Sequence, residues 1–170
     1  INEDSYFDTP NKDLLKNGGS FRIRKTNKGS IKGTFKYPID NNDVYTKRLE
    51  IEKILTENSF TELINRFNNL QYNLKSICPF PVLEINNHRQ EITLTKNKNC
   101  VIIAFDTVIY DNKALEHMLE IELKEGSDPN ILIEIDRSVQ ERFHLESTKQ
   151  SKYQRGIEQT KLAILTRKHP

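Results

Sequence analysis

The feature that most constrains this chain is an alternation of apolar and charged residues with period two, repeated in short runs between turn residues. Side chains on a strand point alternately to opposite faces, so such a run buries one face and leaves the other polar. In Phe21-Arg22-Ile23-Arg24 the two arginines share a face, and Phe21 and Ile23 take the other. Lys32, Thr34 and Lys36 likewise oppose Phe35; Arg48, Glu50 and Glu52 oppose Leu49 and Ile51; Glu120, Glu122 and Lys124 oppose Leu119, Ile121 and Leu123. The pattern predicts seven strands, over 5–8, 20–25, 31–37, 46–55, 83–95, 101–110 and 117–124. Gly18-Gly19 and Asn27-Lys28-Gly29 supply turns between them, since glycine and asparagine tolerate positive φ.

Three stretches carry helical spacing instead: 59–74, with Phe60, Leu63, Ile64, Phe67, Leu70 and Leu74; 128–143; and 154–165. Ser127 or Asp128 ahead of Pro129 makes a capped start for the second. No internal repeat or Pro/Gly/Ser-rich linker divides the chain, so residues 1–170 are expected to form a single domain. Twenty-six Lys+Arg against 24 Asp+Glu leave a formal charge of +2, too balanced for a general nucleic-acid coat, and any anion site must be local. Cys78 and Cys100 are too few for a disulfide scaffold, and His88, His117, His144 and His169 lack zinc-site spacing. No apolar run approaches the roughly 20 residues that span a bilayer, and the first residues, INEDS, do not resemble a signal peptide. The expectation is a cytoplasmic protein without a membrane partner.

A charged face every second residue has an ordinary explanation, a solvated sheet on which Arg and Glu of neighbouring strands pair for roughly 0.2–1 kcal/mol each. That explanation leaves the sorting by sign unaccounted for. Arg22 with Arg24, and Glu120 with Glu122, are like-charged pairs two apart on one face, self-repelling unless an opposite charge lies between them. A polyphosphate answers the arginines, and a hard divalent cation such as Mg²⁺ or Mn²⁺ answers the carboxylates. Closing the sheet with charged faces inward and apolar faces outward under helices gives a polar tunnel for a metal-bound triphosphate. RNA is disfavoured as the ligand because acidic residues share the basic faces.

The chain resembles the CYTH family, the triphosphate tunnel metalloenzymes, which include thiamine triphosphatases, inorganic triphosphatases and class IV adenylyl cyclases. The resemblance rests on Tyr6-Phe7-Asp8-Thr9-Pro10 followed by Leu14-Leu15; Phe21-Arg22-Ile23-Arg24; Gly33-Thr34-Phe35-Lys36-Tyr37-Pro38; Arg48-Leu49-Glu50-Ile51-Glu52; Arg89; Asp106; Glu120-Ile121-Glu122-Leu123; and Ser151-Lys152-Tyr153-Gln154-Arg155-Gly156. It implies an α+β fold, a mainly antiparallel eight-stranded β tunnel with flanking helices. Five residues precede Tyr6, where the family's acidic ExExK strand would stand, so seven of the eight strands are expected here. The resemblance further implies that Arg22, Arg24, Lys36, Arg48, Arg89 and Lys152 grip a small-molecule triphosphate. Glu120, Glu122, Asp106, Glu50 and Glu52 would hold Mg²⁺ or Mn²⁺, with Lys152 and Asp106 closest to the chemistry. The implied activity is metal-dependent hydrolysis of inorganic, nucleoside or thiamine triphosphate. A class IV adenylyl cyclase and a non-catalytic polyphosphate-binding module, its metal chemistry lost with the first strand, are the alternatives.

Overall fold

A computed structural model describes residues 1–41, 46–56, 77–111 and 113–166. Seven strands, β1 (Asn2–Phe7), β2 (Ser20–Thr26), β3 (Ile31–Asn41), β4 (Thr46–Ile54), β5 (Leu83–Lys96), β6 (Asn99–Tyr110) and β7 (Ala114–Leu123), form one sheet in the order β4-β3-β2-β1-β5-β6-β7. Every neighbouring pair is antiparallel, and the sheet curls into a half-barrel. All seven strands expected from the alternation are present. Most are longer than expected, and β1 begins at Asn2 and stops at Phe7, one residue before Asp8. Gly18 and Gly29 take positive φ, +70° and +79°, at the two expected turns.

Helices α1 (Asp13–Lys16), α2 (Asn130–Phe143) and α3 (Lys152–Thr166) flank the sheet. The helix expected over 59–74 lies outside the described residues. Ahead of α2, Asp128 Oδ1 accepts the Asn130 N–H (3.0 Å), which makes Asp128 the capping group next to Pro129. At α3, Ser151 Oγ accepts the Gln154 N–H (3.2 Å), and Gln154 Oε1 accepts the Ser151 N–H (2.8 Å). This reciprocal capping box starts the helix at Lys152, two residues earlier than the apolar spacing suggests.

Cross-strand register places Arg48, Glu50 and Glu52 of β4, Lys32, Thr34 and Lys36 of β3, Arg22 and Arg24 of β2, and Asp4 and Tyr6 of β1 on one continuous face. Across β5 to β7 that face carries Ile85, Asn87 and Arg89, then Asp106 and Val108, then Glu120 and Glu122. The opposite face of β1 to β4 carries a core of Phe7, Phe21 and Phe35, closed by Leu14 and Leu55. A second core, Tyr6, Leu83, Ile85, Val108, Tyr110, Tyr153 and Ile157, lies on the charged face itself, at one end, beneath α3. The expectation that helices cover only the outward apolar face is therefore corrected: α3 closes one end of the inner face. It can do so because the inward positions there are apolar and Gly156 allows close approach. A Cβ at Gly156 would stand 2.4 Å from Leu83 Cδ2 and 2.7 Å from Tyr110 Cδ1.

Asp8 ties these elements together. Its Oδ1 accepts the N–H groups of Thr9 (2.7 Å) and Leu14 (2.9 Å); its Oδ2 accepts the Leu15 N–H (3.0 Å) and the Tyr153 hydroxyl (2.8 Å). One buried carboxylate thus anchors α1 and α3 to the end of β1, while Tyr6 and Tyr153 stack with centroids 5.2 Å apart.

Candidate functional site

The residues singled out from sequence fall on the inner face in three groups. The first joins β5, β6, β7 and α3. Arg89 donates Nε to Asp106 Oδ1 (2.8 Å) and Nη2 to Asp106 Oδ2 (2.7 Å), a two-point pairing fixed by their direct cross-strand register. Lys152 reaches the same carboxylate from the first residue of α3, with Nζ 2.9 Å from Asp106 Oδ2. Glu120 pairs with both Arg89 and Lys152, and Glu122 Oε1 lies 3.4 Å from Arg89 Nη1. Asn87 completes the group by donating Nδ2 to Asp106 Oδ1 (3.0 Å). The Asp106 side chain, with no accessible surface, therefore accepts four hydrogen bonds.

The electrostatics follow from that crowding. Burial pushes the Asp106 pKa up, but hydrogen bonds from Arg89 and Lys152 outweigh it and bring it down to about 2. Glu120 is lowered in the same way: burial opposes ionisation, and the charges of Lys152 and Arg89 prevail. For Arg89, burial disfavours the charged form, and its bonds to Asp106 and the charge of Glu120 more than offset that, raising its pKa.

The second group is on β1 and β2. Arg24 donates Nε to Asp4 Oδ1 (2.6 Å) and Nη2 to Asp4 Oδ2 (2.7 Å), and Arg22 donates Nη1 to Asp4 Oδ2 (3.3 Å). The third lies on β3 and β4, where Lys36 Nζ is 2.9 Å from Glu50 Oε2 and Lys32 Nζ donates to Glu52 Oε2 (2.9 Å). Thr34 also donates to Glu52 Oε1 (3.2 Å), and burial, which would raise the Glu52 pKa, is overcome by the bond to Lys32, so that it is lowered. Arg48 stands opposite Pro38 on the same face. Among the described residues, Arg22 Nε, Arg48 Nε and Asn87 Oδ1 are buried side-chain atoms without a hydrogen-bond partner.

Asp4 and Asn87 were missed from sequence. Period two would have supplied Asp4, two residues before Tyr6, had the first strand been started earlier; Asn87, two residues before Arg89, shares its face by the same count. Glu116 also emerges only in three dimensions: it accepts the Tyr110 hydroxyl (2.9 Å) and Arg155 Nε (2.8 Å), fastening α3 to β7.

Whether a divalent cation suits these residues turns on the donors. Glu120 already holds one cation, the Lys152 ammonium, and Glu120 and Glu122, 33% and 51% accessible, offer hard oxygen, whereas the oxygens of Asp106 are taken up by Asn87, Arg89 and Lys152. No group of three or more His, Cys, Asp or Glu side chains able to hold a metal is gathered among the described residues. Mg²⁺ does not need one, since it is commonly held by one or two carboxylates, retained waters and substrate phosphates. The donor chemistry fits.

The inner face of the curled antiparallel sheet thus gathers arginines, lysines and acids from all seven strands, β1 to β7, and from α3. The CYTH domain pattern matches residues 2–157, and this chain belongs to the CYTH domain family. Among solved structures, a candidate adenylate cyclase from Bacillus halodurans superposes with a TM-score of 0.60 at 15% identity, over 91% of this chain and 80% of that one. A candidate adenylyl cyclase from Hippeastrum, described as having a dominant triphosphatase activity, gives a TM-score of 0.58 at 11% identity, over 89% and 79%. At these identities the likeness is one of fold. No curated protein matches the chain. No helix among the described residues is long and apolar enough to cross a membrane.

Proposed function

We propose that this domain binds a small-molecule triphosphate on its inner face and hydrolyses a terminal phosphoanhydride bond with the help of Mg²⁺ or Mn²⁺. The observation that carries the proposal is the placement of Arg22, Arg24, Arg89 and Lys152 on one face with only 7–16% of each side chain accessible. Cations so far removed from water are costly, and here a polyanion supplies their purpose. The buried N–H groups of Arg22 Nε and Arg48 Nε, lacking acceptors, are donors suited to phosphoryl oxygens.

Arg22, Arg24, Lys36 and Arg48 hold one part of the phosphate chain, and Arg89 and Lys152 hold the part nearest α3. Asp106, saturated by four donors, keeps Arg89 and Lys152 aligned instead of accepting a proton from water. Glu120 and Glu122, whose side chains are 33% and 51% accessible, are the carboxylates placed to hold the cation, with Asp106 behind them. Glu50 and Glu52 offer a second acidic edge on β4. When bound, the cation neutralises phosphoryl charge and lowers the pKa of coordinated water. The Lys152 and Arg89 charges, released from Glu120 as phosphate arrives, stabilise the negative charge that builds on the departing oxygen.

The test is phosphate release from inorganic triphosphate and from ATP, with Mg²⁺, with Mn²⁺ and with chelator, for the unsubstituted protein and for Glu120→Ala and Glu122→Ala. Metal-dependent release lost in both variants is the expected result. Cyclic AMP with pyrophosphate as the products would replace hydrolysis by cyclisation, and tight triphosphate binding without turnover would leave a binding module.

A further inference from the structure

Asp4 has none of its side chain accessible, yet two arginines converge on it. Arg24 meets it with two parallel bonds, Nε to Oδ1 at 2.6 Å and Nη2 to Oδ2 at 2.7 Å, while Arg22 adds Nη1 to Oδ2 at 3.3 Å. Register explains the convergence: Asp4 lies directly across from Arg24, and Arg22 two pairs further along on the same face, across from Tyr6. Arg22 and Arg24 are the like-charged pair that would otherwise repel, and Asp4 is the charge between them.

This pairing differs in kind from those on β3 and β4. Glu50 and Glu52 have side chains 41% and 40% accessible, so either can release its lysine and turn to water when a phosphate arrives. Asp4 cannot, because a carboxylate displaced into a buried site would lose its hydrogen bonds without gaining solvent. It therefore stays paired whether or not a ligand is present. The Arg24 fork is held by the Nε and Nη2 edge, so Nη1 is directed away from Asp4. Arg22, held by Nη1, keeps a buried Nε without an acceptor. Guanidinium planes fixed in this way present their remaining N–H groups at set angles, and a flexible side chain does not have to be ordered when the ligand binds.

We infer that Asp4 is a positioning residue, a permanent counter-ion that aims Arg22 and Arg24 at the oxygens of a triphosphate. The inference deepens the function proposed above and rests on it.

The test is calorimetric titration of the full chain with inorganic triphosphate in the presence of chelator, comparing Asp4→Asn with the unsubstituted protein. Removing a negative charge beside two arginines should by itself strengthen anion binding. Asparagine, however, turns an N–H donor toward donors and releases the fork. Positioning therefore predicts a Kd at least about tenfold weaker, as expected for losing one charge-assisted hydrogen bond to a phosphoryl oxygen. A purely structural role would lower the melting temperature and the binding stoichiometry and leave the Kd of the folded fraction unchanged. An unchanged or tighter Kd overturns the inference. Arg24→Lys covers the case in which Asp4→Asn does not fold: it keeps the charge, gives up the fork, and should weaken binding by a similar factor, so an unchanged Kd there also overturns it. If the unsubstituted protein binds no triphosphate, with metal or without, the proposed function and this inference fail together; if it binds and the variants match it, only the role of Asp4 falls.

Discussion

Gly156→Ala tests how the packing of α3 controls the site. The added methyl would sit 2.4 Å and 3.1 Å from the two terminal carbons of Leu83 and 2.7 Å from Tyr110 Cδ1, so the helix must retreat by about 1 Å to restore ordinary contact. Neither neighbour can give way, since Leu83 and Tyr110 are 2% and 1% exposed and the Tyr110 hydroxyl is held by Glu116. Overpacking of this kind costs about 1–3 kcal/mol, against a helix-propensity gain of about 1 kcal/mol for alanine over glycine. The net loss is up to about 2 kcal/mol, or a Tm lower by about 4–8 °C in a domain of this size. Lys152 begins the same helix one turn earlier, and its ammonium is 2.9 Å from Asp106 Oδ2. A displacement of about 1 Å there can cost up to about a hundredfold in kcat/KM. Thermal unfolding followed by circular dichroism, beside phosphate release, measures both effects. A variant that melts at or above the parent temperature with unchanged kcat/KM would refute the close packing and its link to Lys152.

Three further outcomes follow from the same contacts. Asp106, brought down to about 2 from an ordinary value of 3.8, contributes stability that is complete above about pH 4 and is lost as pH falls through about 2, some 2 kcal/mol in all; urea unfolding between pH 2 and 5 should show this acid limb in the parent and lose most of it in Asp106→Asn. Tyr153→Phe removes the hydroxyl that donates to buried Asp8 and should cost about 1–2 kcal/mol in chemical denaturation, with the stacked ring on Tyr6 retained. Glu116→Gln weakens the hold on Arg155 and Tyr110, and should lower kcat/KM while leaving the spectroscopic signature of the sheet intact.

The strands and the sorting of their faces were legible in the sequence because both depend on nearest neighbours two apart: Phe21 with Ile23, Arg22 with Arg24. What could not be seen was partnership across the sheet. Lys152 meets Asp106 and Glu120 only after β6, β7 and α3 are assembled, and nothing local distinguishes it from a residue that merely follows a capping serine. In the structure Ser151 caps the helix and Lys152, the next residue, pairs with Asp106 and Glu120. Asp8 was visible as part of a motif, but its work as an anchor for Leu14, Leu15 and Tyr153 depends on contacts up to 145 residues away. The covering of the inner face by α3 was hidden for a related reason. Tyr6, Leu83 and Tyr110 continue the alternation in polarity-neutral letters, and only register shows that they share a face with Arg22 and Arg89.

The pairing of Arg24 with Asp4, Arg89 with Asp106 and Lys36 with Glu50 also governs how a ligand arrives. A surface with that much internal compensation projects little field into solvent, and the net charge of +2 adds little more. An incoming anion would not be drawn from a distance; it would displace the accessible carboxylates Glu50 and Glu120 at contact range, while Asp4 and Asp106 keep their arginines. Association should then be slow beside that of proteins that steer their ligands electrostatically, and ionic strength should change its rate only slightly, because oppositely charged neighbours are exchanged and not newly created.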